Sequence, residues 1–322
     1  MVGYLTDIPG IKVGHFTSTL RPTGCTVVLV EKGATAGVDV RGGAPGTRET
    51  DLLNPINTVQ VVHAIVLSGG SAFGLDSASG VMRYLEEKGV GFDTKVAHIP
   101  IVPAAVIFDL QLGDSSIRPT ADNGYEAAKN AQIGVFAVGN VGAGAGATVG
   151  KLFGPERATR GGLGTASISL GNLVVAAIVV VNALGDIIDP QVGSCVAGAR
   201  SDEGDTLLDA MAALKNGRRP NIFGAQNTTL GIVATNARLT KPEVAKLASM
   251  AHAGLSRTIN PVHTPLDGDT IFALSTGDYP QHVDMITLGA LAADVMASAV
   301  LNGIQAATQY ESIPAAADLI KL

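Results

Sequence analysis

An α/β fold is predicted by three observations: apolar, β-branched runs recur along the chain, helical patterns fall between them, and 40 glycines supply many tight connections. Strand-like runs occupy residues 25–30, 64–67, 133–138, 173–181, 230–235 and 270–274. Helical patterns cover 74–88, 122–131, 203–214, 241–259 and 283–307. The fourth helix opens on Thr240-Lys-Pro-Glu243, a capping box with proline in the first turn, which fixes its start. The fifth is apolar on too many faces for a surface helix and is expected between a sheet and a neighbouring subunit. No period of 20–50 residues recurs, so the chain is not a repeat protein.

Composition narrows the function classes. Charged residues make up 16 % and apolar residues 46 % of the 322, a balance short of charged surface that points to a compact protein with buried subunit interfaces. A net charge of −6 without a Lys/Arg run argues against nucleic acid or an acidic membrane surface as partner. The first residues lack a basic, then apolar, leader pattern, and no run of 18 residues is free of polar interruption. The expected location is therefore cytoplasmic, which removes Asn227-Thr-Thr as a glycosylation acceptor. Cys25 and Cys195 are too few for a disulfide framework and read as small core residues.

The most telling stretch is Asn227-Thr228-Thr229-Leu230-Gly231-Ile232-Val233. It places two hydroxyls after a turn and at the mouth of a β-branched strand. One reading is only a turn feeding a strand. The other is chemical: if the Asn227-Thr228 bond is cut, Thr228 gains an α-amine whose reference pKa, about 7.7–8.0, suits it to activate the hydroxyl of the same residue. Attack of that hydroxyl on the Asn227 carbonyl would make the cut self-inflicted. The polar, glycine-rich segment 215–226 is suited to hold such a bond and then separate as two ends.

Other clusters invite weaker readings. Gly142-Ala-Gly144-Ala-Gly146-Ala147 matches a dinucleotide-binding variant, but Phe153-Gly-Pro-Glu156 breaks any following helix. Walker A also fails, with Ala145 in place of the first glycine and Leu152 in the Ser/Thr position. Ser71, in Gly69-Gly-Ser-Ala-Phe-Gly74, falls outside Gly-x-Ser-x-Gly and reads as a capping or pocket residue. The six histidines show no metal-ligand spacing and read as structural. Asp267-Gly268-Asp269, before the strand at 270, reads either as a turn or cation loop or as two carboxylates orienting Thr228. Asn182, where an apolar strand stops, suits an oxyanion or an ordinary turn. Lys151 could bring positive charge to the same place.

Taken together, the Asn227 stretch, Asp267-Gly-Asp-Thr-Ile-Phe272, Arg41-Gly-Gly-Ala-Pro-Gly-Thr-Arg-Glu-Thr-Asp51, Ser68-Gly-Gly-Ser-Ala-Phe-Gly-Leu-Asp76 and the segment Gly139 to Lys151 resemble the L-aminopeptidase/D-esterase-amidase family of self-cleaving peptidases. Within it, Asn-Thr and Asp-Gly-Asp are most similar to the 6-aminohexanoate-oligomer endohydrolases, which cut nylon oligomers; the aminopeptidase branch usually has Gly-Ser and Ser-x-Glu there. The resemblance implies a four-layer α/β/β/α sandwich like that of N-terminal nucleophile hydrolases. It implies one domain, 1–322, cut into an α fragment 1–227 and a β fragment 228–322, and a homotetramer of cleaved protomers. Thr228 is then the nucleophile, Asp267 and Asp269 its orienting pair, Asn182 the oxyanion donor and Lys151 a further pocket residue. Ser71, Gly144 and Phe108 line the pocket, and where Phe108 stands some relatives have a tyrosine hydroxyl that this chain lacks. No metal or organic cofactor is implied. The expected activity is hydrolysis of 6-aminohexanoate oligomers or related linear amides, with aminopeptidase action on small peptides as the alternative. A nucleotide-dependent enzyme using the Gly142 loop and a non-catalytic scaffold are the other classes left open.

Overall fold

The computed structural model describes residues 3–222 and 227–319. Nine strands form its main sheet among these residues: β1 (Lys12–Thr17), β2 (Gly24–Val40), β3 (Thr47–Arg48), β4 (Val61–Ser68), β5 (Ala104–Val106), β6 (Gly162–Leu170), β7 (Leu173–Asn182), β8 (Thr228–Ala237) and β9 (Thr270–Tyr279). Their hydrogen-bonded order is β6-β7-β8-β9-β2-β4-β5-β3, with β1 on β2. The helices that cover them are α1 (Ser77–Glu87), α2 (Ala121–Lys129), α4 (Lys241–Thr258) and α5 (Met285–Gln305), while α3 (Ala210–Lys215) lies in the connection before β8.

The long strand β2 joins two halves. Residues 24–29 pair with β1, residues 35–40 pair with β9, and the register against β4 shifts between Leu29 and Ala34. Because successive side chains of a strand point to opposite faces, the core clusters reveal the layers. Val175, Ala177 and Val179 of β7 pack with α4 and α5. The alternate Ala176, Ile178 and Val180 join Ile232, Phe272, Val28, Ile65 and Leu67 in a core between the two halves of the sheet. Val27, Leu29, Ala64 and Val66 face Ala78, Val81 and Leu85 of α1 and Ala127 and Ala128 of α2. The result is the expected α/β/β/α order, with α4 and α5 outermost on one side and α1 and α2 on the other.

Local differences from the sequence reading have physical causes. Residues 133–138 form no strand; Gly134 takes a left-handed turn at φ +83°, single backbone bridges flank the segment at Gln132 and Gly139, and Phe136 packs into the core between the sheet halves. Helix 203–214 shrinks to α3, because residues 201–206 close a turn and Asp209 caps the helix by accepting from Ala212 N at 3.0 Å. Strand β6 shows no apolar β-branched run, because its Gly162-Leu-Gly-Thr-Ala-Ser sequence is small. That smallness lets α5 approach: a Cβ on Gly164 would lie 2.0 Å from Ala299 O. Long and apolar enough by composition to cross a membrane, α5 lies instead on β6 and β7 and against α4. The Thr240 capping box forms as expected, with Glu243 Oε2 2.7 Å from Thr240 N. Cys25 is a core residue, but Cys195 is only half-buried.

Phe272 fills the layer between the two sheet halves and is fully buried. Phe272→Ala should cost about 3–5 kcal/mol in urea unfolding, whereas Val96→Ala, at a 93 % exposed position, should stay within about 0.5 kcal/mol. Equal effects would contradict the assigned layers.

Candidate active site

Thr228 opens β8 and Asn182 ends β7, and the two are register partners across that ladder. By strand alternation both share the face of Ile178, Val180, Leu230 and Ile232, so both side chains stand at the end of the layer between the sheet halves. Strand β8 also runs parallel to β9, and a further bridge joins Asn227 to Asp267. The ends of three strands thus bring Asn182, Thr228, Asp267 and Asp269 to one place. All four are nine-tenths or more buried.

The junction is held by specific contacts. The Thr228 hydroxyl hydrogen-bonds the carbonyl oxygen of Asn227. That same oxygen accepts from Gly268 N at 3.1 Å. Only glycine fits there, since a Cβ on residue 268 would lie 2.7 Å from Thr228 Oγ1 and 2.8 Å from Ala44 O. Asp269 Oδ1 accepts from Thr229 N at 2.7 Å. Asp267 accepts from Thr264 N at 3.2 Å and the Thr264 hydroxyl at 2.5 Å through Oδ2, and from Leu184 N at 3.4 Å through Oδ1. From outside, Arg41 N and Ala44 N donate to the carbonyls of Asp269 and Asp267 at 2.9 and 2.8 Å, so the Arg41-Gly-Gly-Ala segment clamps the acidic turn.

Lys151 is brought in by a hairpin formed by residues 148–149 and 159–160. Its Nζ donates to Asn182 Oδ1 at 2.9 Å and Asn182 O at 3.2 Å. Thr148 N also donates to Asn182 Oδ1, at 3.1 Å, while Asn182 Nδ2 donates to Phe108 O at 3.3 Å. The amide orientation is fixed by these partners. Burial pushes Lys151 down to about 7, opposed by the attraction of Asp267 and Asp109. Burial, then repulsion from Asp269, pushes Asp267 up to about 6. Two buried groups therefore titrate near neutrality, a pattern concentrated at functional sites.

The remaining expected residues divide. Phe108 reaches the cluster through its backbone carbonyl, and its loop is anchored by the buried Arg21–Asp109 ion pair at 2.8 Å. Asp109 also accepts from Gly70 N and the Thr23 hydroxyl, at 2.9 and 2.7 Å. Ser71 follows Gly70, half-buried at φ +54°, with its N–H on Ile107 O, which makes it part of that loop support. Gly144 is buried and closely packed, and a Cβ there would lie 2.5 Å from Leu163 N. Two residues were missed. His263, read as merely structural, holds Asp269 Oδ2 through Nδ1 at 2.9 Å and through its N–H at 3.1 Å. Its ring stacks edge-on against buried His252, centroids 4.8 Å apart. Gly268 was read only as a spacer. The connection 215–226 is largely exposed through residue 221, and residues 223–226 lie outside the described ones.

Comparison with known proteins follows the same lines. Residues 4–316 match peptidase family S58. An uncharacterized aminopeptidase of Mycobacterium tuberculosis is 44 % identical over 347 residues, covering 98 % of this chain and 97 % of the relative. The 6-aminohexanoate-oligomer endohydrolase of Paenarthrobacter ureafaciens is 34 % identical, covering 92 % and 84 %. Among solved structures, an L-aminopeptidase D-Ala-esterase/amidase from Ochrobactrum anthropi, a variant of the N-terminal nucleophile hydrolase fold, superposes with TM-score 0.71 at 19 % identity over 98 % of this chain and 92 % of its own. A Burkholderia sp. β-aminopeptidase gives 0.68 at 22 % over 99 % and 92 %.

A pH test follows from Lys151. Its folded pKa lies below the ordinary 10.5, so between about 7 and 10.5 the unfolded chain binds a proton that the native one does not, and stability rises with pH across that window. The cost of the buried charge is fully present below about 7. The stability gap between wild type and Lys151→Met, measured by urea unfolding, should therefore shift toward wild type as pH rises from about 7 to about 10. A gap constant with pH would remove the depressed lysine.

Proposed function

The chain belongs to peptidase family S58 and is an amide-bond hydrolase, and we propose that it cuts itself between Asn227 and Thr228 and then uses Thr228 as an N-terminal nucleophile. The observation that carries this reading is the junction itself: a hydroxyl against the preceding carbonyl, whose oxygen is held by Gly268 N–H. Thr228 Oγ attacks the Asn227 carbonyl carbon, and the Gly268 N–H stabilises the negative charge that develops on oxygen. The C–N bond breaks, the hydroxyl proton passes to the departing nitrogen, and an ester joins Asn227 to Thr228. Water hydrolyses it, leaving an Asn227 carboxylate and a free Thr228 amine and hydroxyl. The space that Asn227 occupied becomes the acyl site.

In turnover the Thr228 amine takes the hydroxyl proton as Oγ attacks a substrate amide. Asn182 Nδ2 and Lys151 Nζ supply donors for the oxyanion, and the leaving amine departs protonated. Asp269, held by His263, orients the start of β8 through Thr229 N. Asp267 sets the charge balance with Lys151. The substrates we propose are linear 6-aminohexanoate oligomers cut at internal amides, because every placed group acts on the amide itself and none recognises a side chain. The 44 % identity to relatives named aminopeptidases favours a second reading, release of single residues from an amino end.

Thr228→Ala should abolish hydrolysis, and Asp267→Asn and Asp269→Asn should each slow it by about a hundredfold. Gly268→Ala, whose Cβ would press on the Thr228 hydroxyl and on Ala44 O, should block self-cleavage. Incubating the enzyme with a linear 6-aminohexanoate tetramer and with L-alanyl p-nitroanilide separates the substrate readings: internal cleavage products support the first, and residue-by-residue release from the anilide alone supports the second. Wild-type rates in both aspartate variants would reduce the acidic turn to a structural one.

A further inference from the structure

A second polar site lies apart from Thr228. A cavity of about 260 Å³ opens beside residues 17–22, lined among others by Thr19, Ala145, Arg160 and Tyr310. Arg160 is only 1 % exposed. Its Nη2 donates to Ala145 O at 2.6 Å, but Nε and Nη1 have no partner among the described residues. The Tyr310 ring lies 5.6 Å from the guanidinium carbon. Arg21, the other cation on the wall, already has an acidic partner: it pairs with Asp109 and donates to the carbonyls of Ile117, Asp109 and Leu112.

Burial lowers Arg160 only to about 10, and the neighbour that opposes this is Tyr310 rather than a carboxylate. The guanidinium is therefore charged at neutral pH without an acidic partner. A buried charge of that kind is costly unless it is paired, and a guanidinium pairs best with a planar or tetrahedral oxyanion. The cavity is several times the roughly 30 Å³ that a water occupies in the liquid. We propose that Arg160 and this cavity form a binding site for a small oxyanion, a carboxylate or phosphate, separate from the amide-hydrolysing site. The site is close to the catalytic cluster in the chain's hydrogen-bonding: Thr148 is the hairpin partner of Arg160 and also donates to Asn182.

Calorimetric titration of the purified enzyme with sodium acetate and with sodium phosphate, at ionic strength fixed with chloride, tests this. At least one ion should bind saturably, and Arg160→Gln should weaken it about tenfold or more. Tighter acetate assigns the site to carboxylates, and tighter phosphate to phosphates. Thr19→Glu places a negative charge at the exposed rim and should weaken binding severalfold, deciding the matter should Arg160→Gln fail to fold. Absence of saturable binding by both ions, or binding unchanged in these variants, would overturn the proposal.

Discussion

One backbone hydrogen bond organises the centre of this molecule: Gly268 N–H to the carbonyl of Asn227. It fastens the residue before β8 to the acidic turn before β9, and the other contacts follow from that attachment. Asp269 can reach Thr229 N because the two strand mouths are level, and Asp267 lies opposite Asn227 for the same reason. A net backbone hydrogen bond contributes only about 1 kcal/mol to stability. Its importance here is geometric, since it orients a carbonyl toward a hydroxyl with no side chain between them. The clamp by residues 41–44 keeps the turn from relaxing away.

Around that bond the protein gathers charge where water is scarce. Lys151, Asp267 and Asp269 are nearly inaccessible, and desolvation drives the lysine and Asp267 toward each other's range. Groups that titrate near neutrality can give or take a proton at low cost, which fully solvated lysines and aspartates cannot. Asn182 links the two halves of the cluster, receiving from Lys151 and Thr148 and donating to Phe108 O. The buried Arg21–Asp109 pair matters because it fixes the loop that presents that carbonyl.

Much of this was legible in the sequence. Strands β4, β7, β8 and β9 announce themselves as β-branched apolar runs, and α4 by its capping box, because local chemistry and tertiary burial agree there. The acidic pair, Asn182 and Thr228 were visible as polar residues at strand ends. What was hidden depends on three-dimensional neighbours. The strand character of 162–170 is masked by small residues whose purpose is close approach of α5. His263 looked like an ordinary loop histidine because its partner, Asp269, is reached only when the loop takes a left-handed φ of +54°. The layered fold itself came from family resemblance, since periodicity alone does not tell which faces of β2 meet which helices.

The central claim, that the chain severs its own Asn227–Thr228 bond, is tested most directly by the intact mass of the purified protein under denaturing conditions. The account predicts two species, residues 1–227 and 228–322, with Thr228 as the first residue of the second, and a single uncut species for Thr228→Ala. A wild-type protein that hydrolyses amides while remaining one chain, or a Thr228→Ala protein cut at the same bond, would contradict it.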